Sequence, residues 1–340
     1  MSTSALKLSV FFGERDRDRD DLLSDTLLDR LELHGLRTAA LLRGTEGFGL
    51  EHRLRRAGLL TTSEDLPLVA TAVDSPERVR AALGDVGTLV GNGLVTLERA
   101  RLVDGPGDGE PLGAGDDAKL TLVLGRTQRA GSRPAYAVAV DALYRGGVAG
   151  ATALLGVDGL LRGRRQRARL LSPNSRVPIL VVSVGNRQAI AAVLDELLDV
   201  LEGPAAMLEG VQVLRRDGVA LAQPRTDAAP DAPWARLTVY SAHHDELVAA
   251  LREADAPGAT VLRGVWGYHG DHAPHGESPW ALRRRTPVVT EVVVPAGDVG
   301  RWLAIVERFA AQRGLVTLEP VPVARATGGG TVVGTLDESA

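Results

Sequence analysis

At three places in this 340-residue chain an apolar run of strand type ends in the pattern Gly-x-x-Gly, at 44–47, 156–159 and 264–267. Such a pair lets the backbone approach a phosphate closely and donate N–H groups to it. The alternative is a turn that requires positive φ. No Walker A motif is present, so we do not expect a phosphate-hydrolysing P-loop. The candidate ligand-binding residues at the three pairs are Arg43, Gly44, Gly47, Phe48, Gly49, Gly156, Gly159, Arg263, Gly264 and Gly267.

Clusters of arginine follow the three glycine pairs. The planar guanidinium suits phosphate or carboxylate, and a basic loop also suits an acidic partner or lipid headgroups. A solvated loop surface is the alternative. In the densest cluster, Arg165 and Arg167 are the preferred anion contacts. The clusters are Arg53, Arg55 and Arg56; Arg162, Arg164, Arg165, Arg167 and Arg169; and Arg283, Arg284 and Arg285.

Histidine is concentrated in one segment near the third glycine pair. The candidate metal ligands there are His269, Asp271, His272 and His275. Imidazole and carboxylate groups bind zinc, copper or nickel. The spacing matches no standard zinc signature, so a solvated histidine-rich loop is the alternative.

Groups suited to catalysis are sparse. The chain has no cysteine, no Gly-x-Ser-x-Gly motif and no His-Glu-x-x-His motif. Glu98 and Glu319 end matching strands, and we interpret them as charges at sheet ends rather than as an acid and a base. We therefore predict that the protein is not an enzyme.

Composition narrows the class of protein further. Hydrophobic residues make up 44% and charged residues 24% of the chain, which predicts a globular protein with a sizeable core. The net charge of −4 does not favour nucleic acid as a partner. No apolar run reaches 18 residues, and the first residues reach charge too soon for a signal peptide. We expect a cytoplasmic protein.

The elements that position these candidates occur three times along the chain. Each copy opens with an alternating apolar strand, and a second strand ends at the glycine pair. A proline opens a third, β-branched strand 22 or 23 residues after the first glycine of the pair. Helical patterns lie between strands one and two and after strand three. The landmarks are Lys7, Lys119 and Arg236 at the first strands and Pro67, Pro178 and Pro287 at the third.

The repeated unit is therefore βαββαβ. This order predicts an α+β, ferredoxin-like sandwich with its helices on one face of an antiparallel sheet. The connecting segments are rich in Gly, Pro and Asp, which is typical of linkers. The predicted boundaries are 1–104 for repeat 1, 105–117 for a linker, 118–216 for repeat 2, 217–233 for a linker, 234–325 for repeat 3 and 326–340 for a disordered tail.

Repeat 1 resembles the PII-like signalling proteins of domain-of-unknown-function family 190. The resemblance rests on the first strand ending Phe-Phe-Gly-Glu, on the segments LLRGTEGFG and LTTSEDLPLVATAVDS, and on GLVTLE at 93–98. Repeats 2 and 3 keep the glycine pair, the proline strand and its helix. They have Leu160-Leu161 and Tyr268-His269, respectively, where repeat 1 has Phe48-Gly49.

The resemblance implies a trimer of such units with small-molecule sites, often for adenine nucleotides, between subunits. One chain with three units would then form an intramolecular, monomeric pseudo-trimer whose clefts can differ. The implied partner of the long loops is a membrane transporter or channel, or an enzyme. The function predicted is non-catalytic regulation by a bound anionic ligand, with no cofactor established. The alternatives are metal binding through the histidine loop, or a scaffold without ligand.

Overall fold

The computed structural model describes residues 3–56, 65–103, 105, 115–167, 177–225, 232–241, 244–270, 272–276, 287–310 and 314–336. Within these ranges each repeat has the predicted order of strands and helices. The protein is a mixed α+β protein with three repeats, and twenty of its strands join in one hydrogen-bonded sheet.

The elements of repeat 1 are β1 Thr3–Gly13, β2 Arg17–Asp18, β3 Asp21–Leu22, α1 Leu23–Leu33, β4 Thr38–Arg43, β5 Glu46–Phe48, β6 Arg55–Arg56, β7 Pro67–Asp74, α2 Pro76–Leu89 and β8 Gly93–Val103. Those of repeat 2 are β9 Asp117–Gly125, β10 Arg129–Ala130, β11 Arg133–Pro134, α3 Ala135–Arg145, β12 Gly150–Leu161, β13 Arg164–Arg165, β14 Pro178–Asn186, α4 Arg187–Val200, β15 Ala205–Gly210, β16 Gln212–Arg216 and β17 Val219–Ala220. Those of repeat 3 are β18 Trp234–Tyr240, α5 Asp245–Glu253, β19 Ala259–His269, β20 His275–Gly276, β21 Val288–Pro295, a 3-10 turn Ala296–Asp298, α6 Val299–Ala310, β22 Leu315–Val321, β23 Val323–Gly328 and β24 Thr331–Thr335.

Each repeat builds the same four-stranded antiparallel core. The order is β4-β7-β1-β8 in repeat 1, β12-β14-β9-β15 in repeat 2 and β19-β21-β18-β22 in repeat 3. The period of two along β1 sends Leu8 and Val10 into the core beneath the helices and sends Lys7 and Phe11 to the opposite face. The helices therefore cover one face of each sheet, and the three opposite faces pack together in a shared apolar cluster.

The repeats join through two cycles of strand pairing. In the first cycle, the segment that follows each first glycine pairs with the second strand of another repeat: β5 with β19, β12 with β4, and β19 with β12. In the second cycle, β8 pairs with β15, β16 with β22, and β23 with β8. Both cycles return to repeat 1, so each repeat contacts both others.

The prediction of a disordered tail from residue 326 is wrong as far as residue 336. Residues 323–327 continue the second pairing cycle by bonding to Gly93–Leu97 of β8, and β24 returns against β23 as a hairpin. The turn is made by Gly329 and Gly330, both at positive φ (57° and 79°), where glycine is not strained. The remaining four residues lie outside the described part of the chain.

The predicted linker 217–233 also contains ordered structure. Val219–Ala220 form β17, which pairs with β16. The amide of Gln212 further anchors this segment, since its Nε2 donates to the Gln223 carbonyl at 2.8 Å and its Oε1 accepts from the Arg225 N–H at 2.9 Å. The described part of this segment is thus held against repeat 2 by backbone and side-chain hydrogen bonds. Residues 226–231, and most of the predicted linker 105–117, lie outside the described ranges.

Six buried charges lie where the three sheets meet. Each repeat supplies one cation from its first strand and one carboxylate from its last strand. The Lys7 ammonium lies 2.8 Å from Glu98 of its own repeat and also bonds to Glu209 of repeat 2. The set is Lys7, Lys119 and Arg236 with Glu98, Glu209 and Glu319, which we call the ionic ring.

The ring closes because every cation reaches a carboxylate of another repeat. Lys119 lies 3.2 Å from Glu209 of its own repeat and bonds to Glu319 of repeat 3. Arg236 of repeat 3 donates to Glu98 of repeat 1 at 2.7 Å. Burial raises the pKa of Glu98, but the charges of Arg236 and Lys7 outweigh this effect and lower the pKa to about 2. Glu98 therefore remains charged inside the protein.

Removing one carboxylate of the ring is expected to destabilise the protein strongly. Glu209→Gln removes the negative charge that pairs with the buried ammonium groups of Lys7 and Lys119. We expect this variant to lose about 3–5 kcal/mol in the free energy of unfolding. Urea denaturation measures it. The control is Glu196→Gln, which breaks an exposed pair with Arg145 (3.2 Å) and should change stability by less than about 1 kcal/mol. Equal effects of the two variants would contradict a structural role for the ring.

Candidate functional site

The glycine pairs lie at the three junctions between repeats, where backbones approach each other closely. A Cβ on Gly47 would lie 2.6 Å from the carbonyl oxygen of Ala259, and one on Gly267 would lie 2.3 Å from that of Ala151. A Cβ on Gly159 would lie 2.2 Å from that of Ala39. These distances are too short for any side chain, so the second glycine of each pair is required for the first pairing cycle.

The first glycines also serve packing. The N–H of Gly44 donates to the Pro67 carbonyl and that of Gly264 to the Pro287 carbonyl, both at 2.8 Å. These N–H groups are therefore not available to a phosphate. A Cβ on Gly156 would approach the Pro178 carbonyl oxygen to 2.8 Å. The first glycines thus have a packing role. The alternative predicted from the sequence, a turn that requires positive φ, is wrong for five of the six glycines of the pairs, since Gly159 alone among them has positive φ (157°).

The residue after each second glycine inserts its side chain into the core of the neighbouring repeat. Phe48 packs in the core of repeat 3, Leu160 in that of repeat 1 and Tyr268 in that of repeat 2. Phe48 was predicted to contact a ligand, yet its side chain is buried in the adjoining core. Burying a large side chain in the neighbouring core is favourable. This explains why a large side chain, although a different one, follows the second glycine in each repeat.

The two arginines that precede glycine pairs are exposed. Arg43 forms a bidentate pair with Glu14, with both distances at 2.8 Å. Arg263 lies at an exposed position of β19. Neither residue lines a described cleft between repeats. Their predicted contact with a ligand is not supported by their position.

Arg165 and Arg167 are engaged by carboxylates of two repeats. Arg165 donates to Asp158 of its own repeat at 2.8 Å and to Asp25 of α1 at 2.8 Å, and it also bonds to Asp29. Arg167 donates to Asp25 at 2.8 Å. The predicted anion contacts of these two arginines are therefore made within the protein, by the acidic start of α1. Arg169 and Arg283–Arg285 lie outside the described residues.

The histidine loop is described only in part. His269 is buried, and its ring centroid lies 6.2 Å from that of His272 and 6.4 Å from that of His275. Burial, followed by the nearby His275, lowers the pKa of His269. Asp271 lies outside the described residues. Among the described residues, these three histidines do not form a group of three ligand atoms close enough for one metal ion.

A cleft with a volume of about 550 Å³ lies between repeats 1 and 2. The cations that line it are Arg37, at the start of β4, and Arg162, in the turn after β12. Their backbones meet, because the Gly163 N–H donates to the Arg37 carbonyl at 2.8 Å. Among the described residues neither arginine has a carboxylate within ion-pair distance. Arg162 instead donates to the backbone carbonyls of Glu202 and Gly203 at 3.2 Å.

Sequence patterns did not predict Arg37 as a ligand-binding residue, and they did not distinguish Arg162 from the other arginines of its cluster. Arg37 lies outside every arginine cluster. The sequence offers a signal only for Arg162, because Gly163 beside it suggests a turn. The structure has that turn, with Arg162 at a φ of 54°. Val103, Val123 and Leu161 and the amides of Gln128 and Gln166 also line the cleft, as do the carboxylate residues Asp74 and Glu202. Asp74 Oδ2 accepts a hydrogen bond from the backbone N–H of Arg37 at 2.7 Å.

The equivalent cleft between repeats 1 and 3 has a different lining. It is bordered by Phe11, Phe12 and Trp234, with Gly47, Phe48 and Gly49 at its edge. Its one described arginine, Arg55, lies 3.1 Å from Asp65 and 3.6 Å from Asp16. The third junction is apolar near Trp266, which packs against the core of repeat 2. The three junctions are therefore chemically different.

Glu46 is the buried carboxylate at the junction of repeats 1 and 3. Its Oε1 lies 3.9 Å from Arg56 Nε, and its Oε2 has no hydrogen-bond partner among the described residues. Burial raises the pKa of Glu46 to about 7. The charge of Arg56 opposes this rise, while Asp245 adds to it.

A protein-family model matches this chain over most of its length. The DUF190 family model, described as "Uncharacterized ACR", matches residues 5–102, 118–213 and 239–323. The chain belongs to the DUF190 family. The three matches coincide with the three structural repeats, so this DUF190 protein contains three copies of the family's unit. The family resemblance inferred from repeat 1 is confirmed and extends to repeats 2 and 3.

A relative shows the unit on its own. A UPF0166 protein of Aquifex aeolicus (strain VF5) is 27% identical over 96 residues, which cover 28% of this chain and 90% of the relative. That protein thus has about the length of one repeat. Within the described ranges, no helix of this DUF190 protein has the length and apolarity needed to cross a membrane.

The packing role of the glycine pair predicts a contrast between two neighbouring positions. Gly47→Ala places a methyl group against the Ala259 carbonyl and is expected to lower the free energy of unfolding by about 2 kcal/mol or more. Gly49→Ala is the matched control, since a Cβ there meets no atom within 4 Å, and its effect should stay within about 0.5 kcal/mol. Urea denaturation distinguishes them, and a harmless Gly47→Ala would refute the packing role.

The raised pKa of Glu46 predicts a dependence of stability on pH. Because the folded-state pKa of about 7 exceeds the ordinary 4.5, the folded protein binds this proton more tightly than the unfolded chain. Its contribution is present below about pH 4.5 and is lost as pH rises through about 7. Glu46→Gln should therefore stabilise the metal-free protein by about 1–2 kcal/mol at pH 8 and have little effect near pH 5.

Thermal and urea denaturation at the two pH values measure this difference. Glu196→Gln, which replaces an exposed carboxylate of α4, is the control and should leave the pH dependence as it is in the unaltered protein. A Glu46→Gln variant with the same effect at both pH values would show that Glu46 does not carry the proton.

Proposed function

We propose that this protein is a non-catalytic, PII-like regulator that binds a small anionic ligand, an adenine nucleotide, in the cleft between repeats 1 and 2. The observation that carries the proposal is the pair Arg37 and Arg162, two cations at one cleft without carboxylate partners among the described residues. A ligand phosphate is the group such a pair binds best.

The proposal includes an architecture. Each repeat is proposed to be a ferredoxin-like unit, which the strand order β4-β7-β1-β8 and the two helices over one face support. The three units are proposed to form an intramolecular pseudo-trimer. Support comes from the two pairing cycles and the ionic ring, in which equivalent residues of the three repeats meet one another.

Size and lining favour a nucleotide over a simple phosphate ion. A volume of about 550 Å³ is within the range of small-molecule sites, of about 300–1,000 Å³. Val103, Val123 and Leu161 offer apolar surface to a base, and the amides of Gln128 and Gln166 offer both donors and acceptors for its edge. The family resemblance adds adenine as the expected base.

Arg162 is also the residue through which a signal would leave the cleft. It lies in the turn that opens the long loop between β12 and β14, and within the described ranges its guanidinium donates to two backbone carbonyls. A bound phosphate would draw Arg162 from these carbonyls and alter the start of the loop. The proposed regulated partner is a membrane transporter or channel, contacted from the cytoplasm by a monomeric protein that is not membrane-inserted.

Isothermal titration calorimetry with ATP, ADP, AMP and cyclic AMP tests the proposal. We expect one saturable nucleotide site per chain. Arg37→Gln and Arg162→Gln should each weaken binding about tenfold or more, because each removes a charged hydrogen-bond donor to phosphate. The matched control is Arg164→Gln, which replaces an exposed arginine two residues along the same turn that does not line the cleft.

Other results would contradict the proposal in distinct ways. Three equal sites would show that the ligand does not require Arg37 and Arg162, because only one junction contains this pair. Nucleotide binding that both variants leave unchanged would place the site elsewhere. Absence of heat with every nucleotide would favour a scaffold without ligand.

A further inference from the structure

A group of metal-ligating side chains lies at the junction between repeats 1 and 3, away from the cleft between repeats 1 and 2. Here β5 of repeat 1 faces the start of α5 of repeat 3. One ligand atom each from Glu46, His244 and Asp245 lie within 4.8 Å of one another. The set combines two carboxylates and an imidazole. It shares no residue with the metal candidates of the histidine loop or with the lining of the cleft between repeats 1 and 2.

Glu46 shows that this group is incomplete as it stands. The residue is 3% exposed, and its Oε2 accepts no hydrogen bond from the described residues. A buried carboxylate oxygen without a partner is costly, and proteins satisfy it with a proton, a donor or a cation. The imidazole and the second carboxylate beside it favour a cation that accepts mixed nitrogen and oxygen ligands.

Repeat 2 provides an internal comparison, because Asp158 occupies the same position between the glycines of its pair. There Arg165 binds both carboxylate oxygens, at 2.8 and 3.2 Å from Oδ2 and 3.4 Å from Oδ1, and the Gly159 N–H donates to Oδ1 at 2.7 Å. Among the described residues, the one cation within ion-pair distance of Glu46 is Arg56, at 3.9 Å. An arginine therefore neutralises Asp158 through close hydrogen bonds, whereas Glu46 has no cation in hydrogen-bond contact among the described residues.

We propose that Glu46, His244 and Asp245 bind a divalent transition-metal ion of the zinc type, with water completing the coordination. Three protein ligands of nitrogen and oxygen type are a common set for Zn²⁺. His244 Nε2 lies 3.2 Å from Asp245 Oδ1, so these two ligands already lie close together. Asp245 has a side chain that is 55% exposed and provides the route from solvent.

Arg56 occupies the place of the cation in the metal-free protein. Its Nη2 donates to Asp245 Oδ1 at 2.8 Å, and its side chain is 53% exposed. An exposed arginine can swing into solvent at small cost when a metal ion replaces it. The metal ion would then link repeat 1 to repeat 3, across the junction that closes the first pairing cycle.

Zinc binding to untagged, chelator-stripped protein tests the site, by competition with a chromophoric chelator and by calorimetry. We expect one Zn²⁺ per chain at this site. Glu46→Gln and His244→Ala should each weaken its binding about tenfold or more. Arg56→Gln removes the competing cation and should tighten binding about threefold.

His272→Ala is the control for the histidine loop and should leave this binding unchanged. Urea denaturation of metal-free Glu46→Gln shows whether the variant is folded, so that a loss of zinc binding is separated from unfolding. Zinc should also raise the melting temperature of the unaltered protein and not that of His244→Ala. The proposal is overturned if no zinc binds, or if zinc binding survives both ligand variants and is lost in His272→Ala.

Discussion

The ionic ring constrains every other feature of this protein. Six charges can remain buried only if each cation stays within reach of carboxylates from two repeats, because a lone buried charge is strongly unfavourable. Lys7 therefore bonds at the same time to Glu98 of its own sheet and to Glu209 of the sheet of repeat 2, which fixes the two strands relative to each other. That geometry sets the angle between sheets, and with it the strand pairings at the junctions and the shape of each cleft. A ring of this kind favours one arrangement of repeats over others that would bury equal apolar area.

Threefold repetition of the framework allows the junctions to differ. The framework positions are occupied by similar residues, as Lys7, Lys119 and Arg236 show. The residues between the glycines differ: Glu46 lies beside a histidine, Asp158 beside arginines, and Trp266 in an apolar core. In a symmetric trimer of identical chains, one substitution changes all three junctions together. In one polypeptide a substitution can change a single junction. One chain can therefore have the proposed nucleotide site at one junction, the proposed metal site at another and an apolar contact at the third.

Much of the fold could be predicted from the sequence, and the site only in part. Strand alternation, helix periodicity and the constant distance from glycine to proline are local signals, so the order of elements followed from them. The partners of these elements are not local. Lys7 and Glu209 are 202 residues apart, and no pattern in either strand indicates that they meet. Arg165 resembled a free anion contact because its acidic partners lie in a helix of another repeat. Arg37 gave no signal, since one exposed arginine before a strand is ordinary.

The second pairing cycle has a consequence for how the chain is made. Repeat 1 is synthesised with Lys7 and Glu98 already present, but Glu209 and Arg236, which complete their bonds, are added more than a hundred residues later. The strand β23 that covers the edge of β8 is later still. An emerging repeat 1 thus exposes an open strand edge and a half-neutralised charge pair on the ribosome. Final packing of all three repeats must therefore follow synthesis of the last one, because strand pairs and buried ion pairs of repeat 1 are completed by residues of repeats 2 and 3.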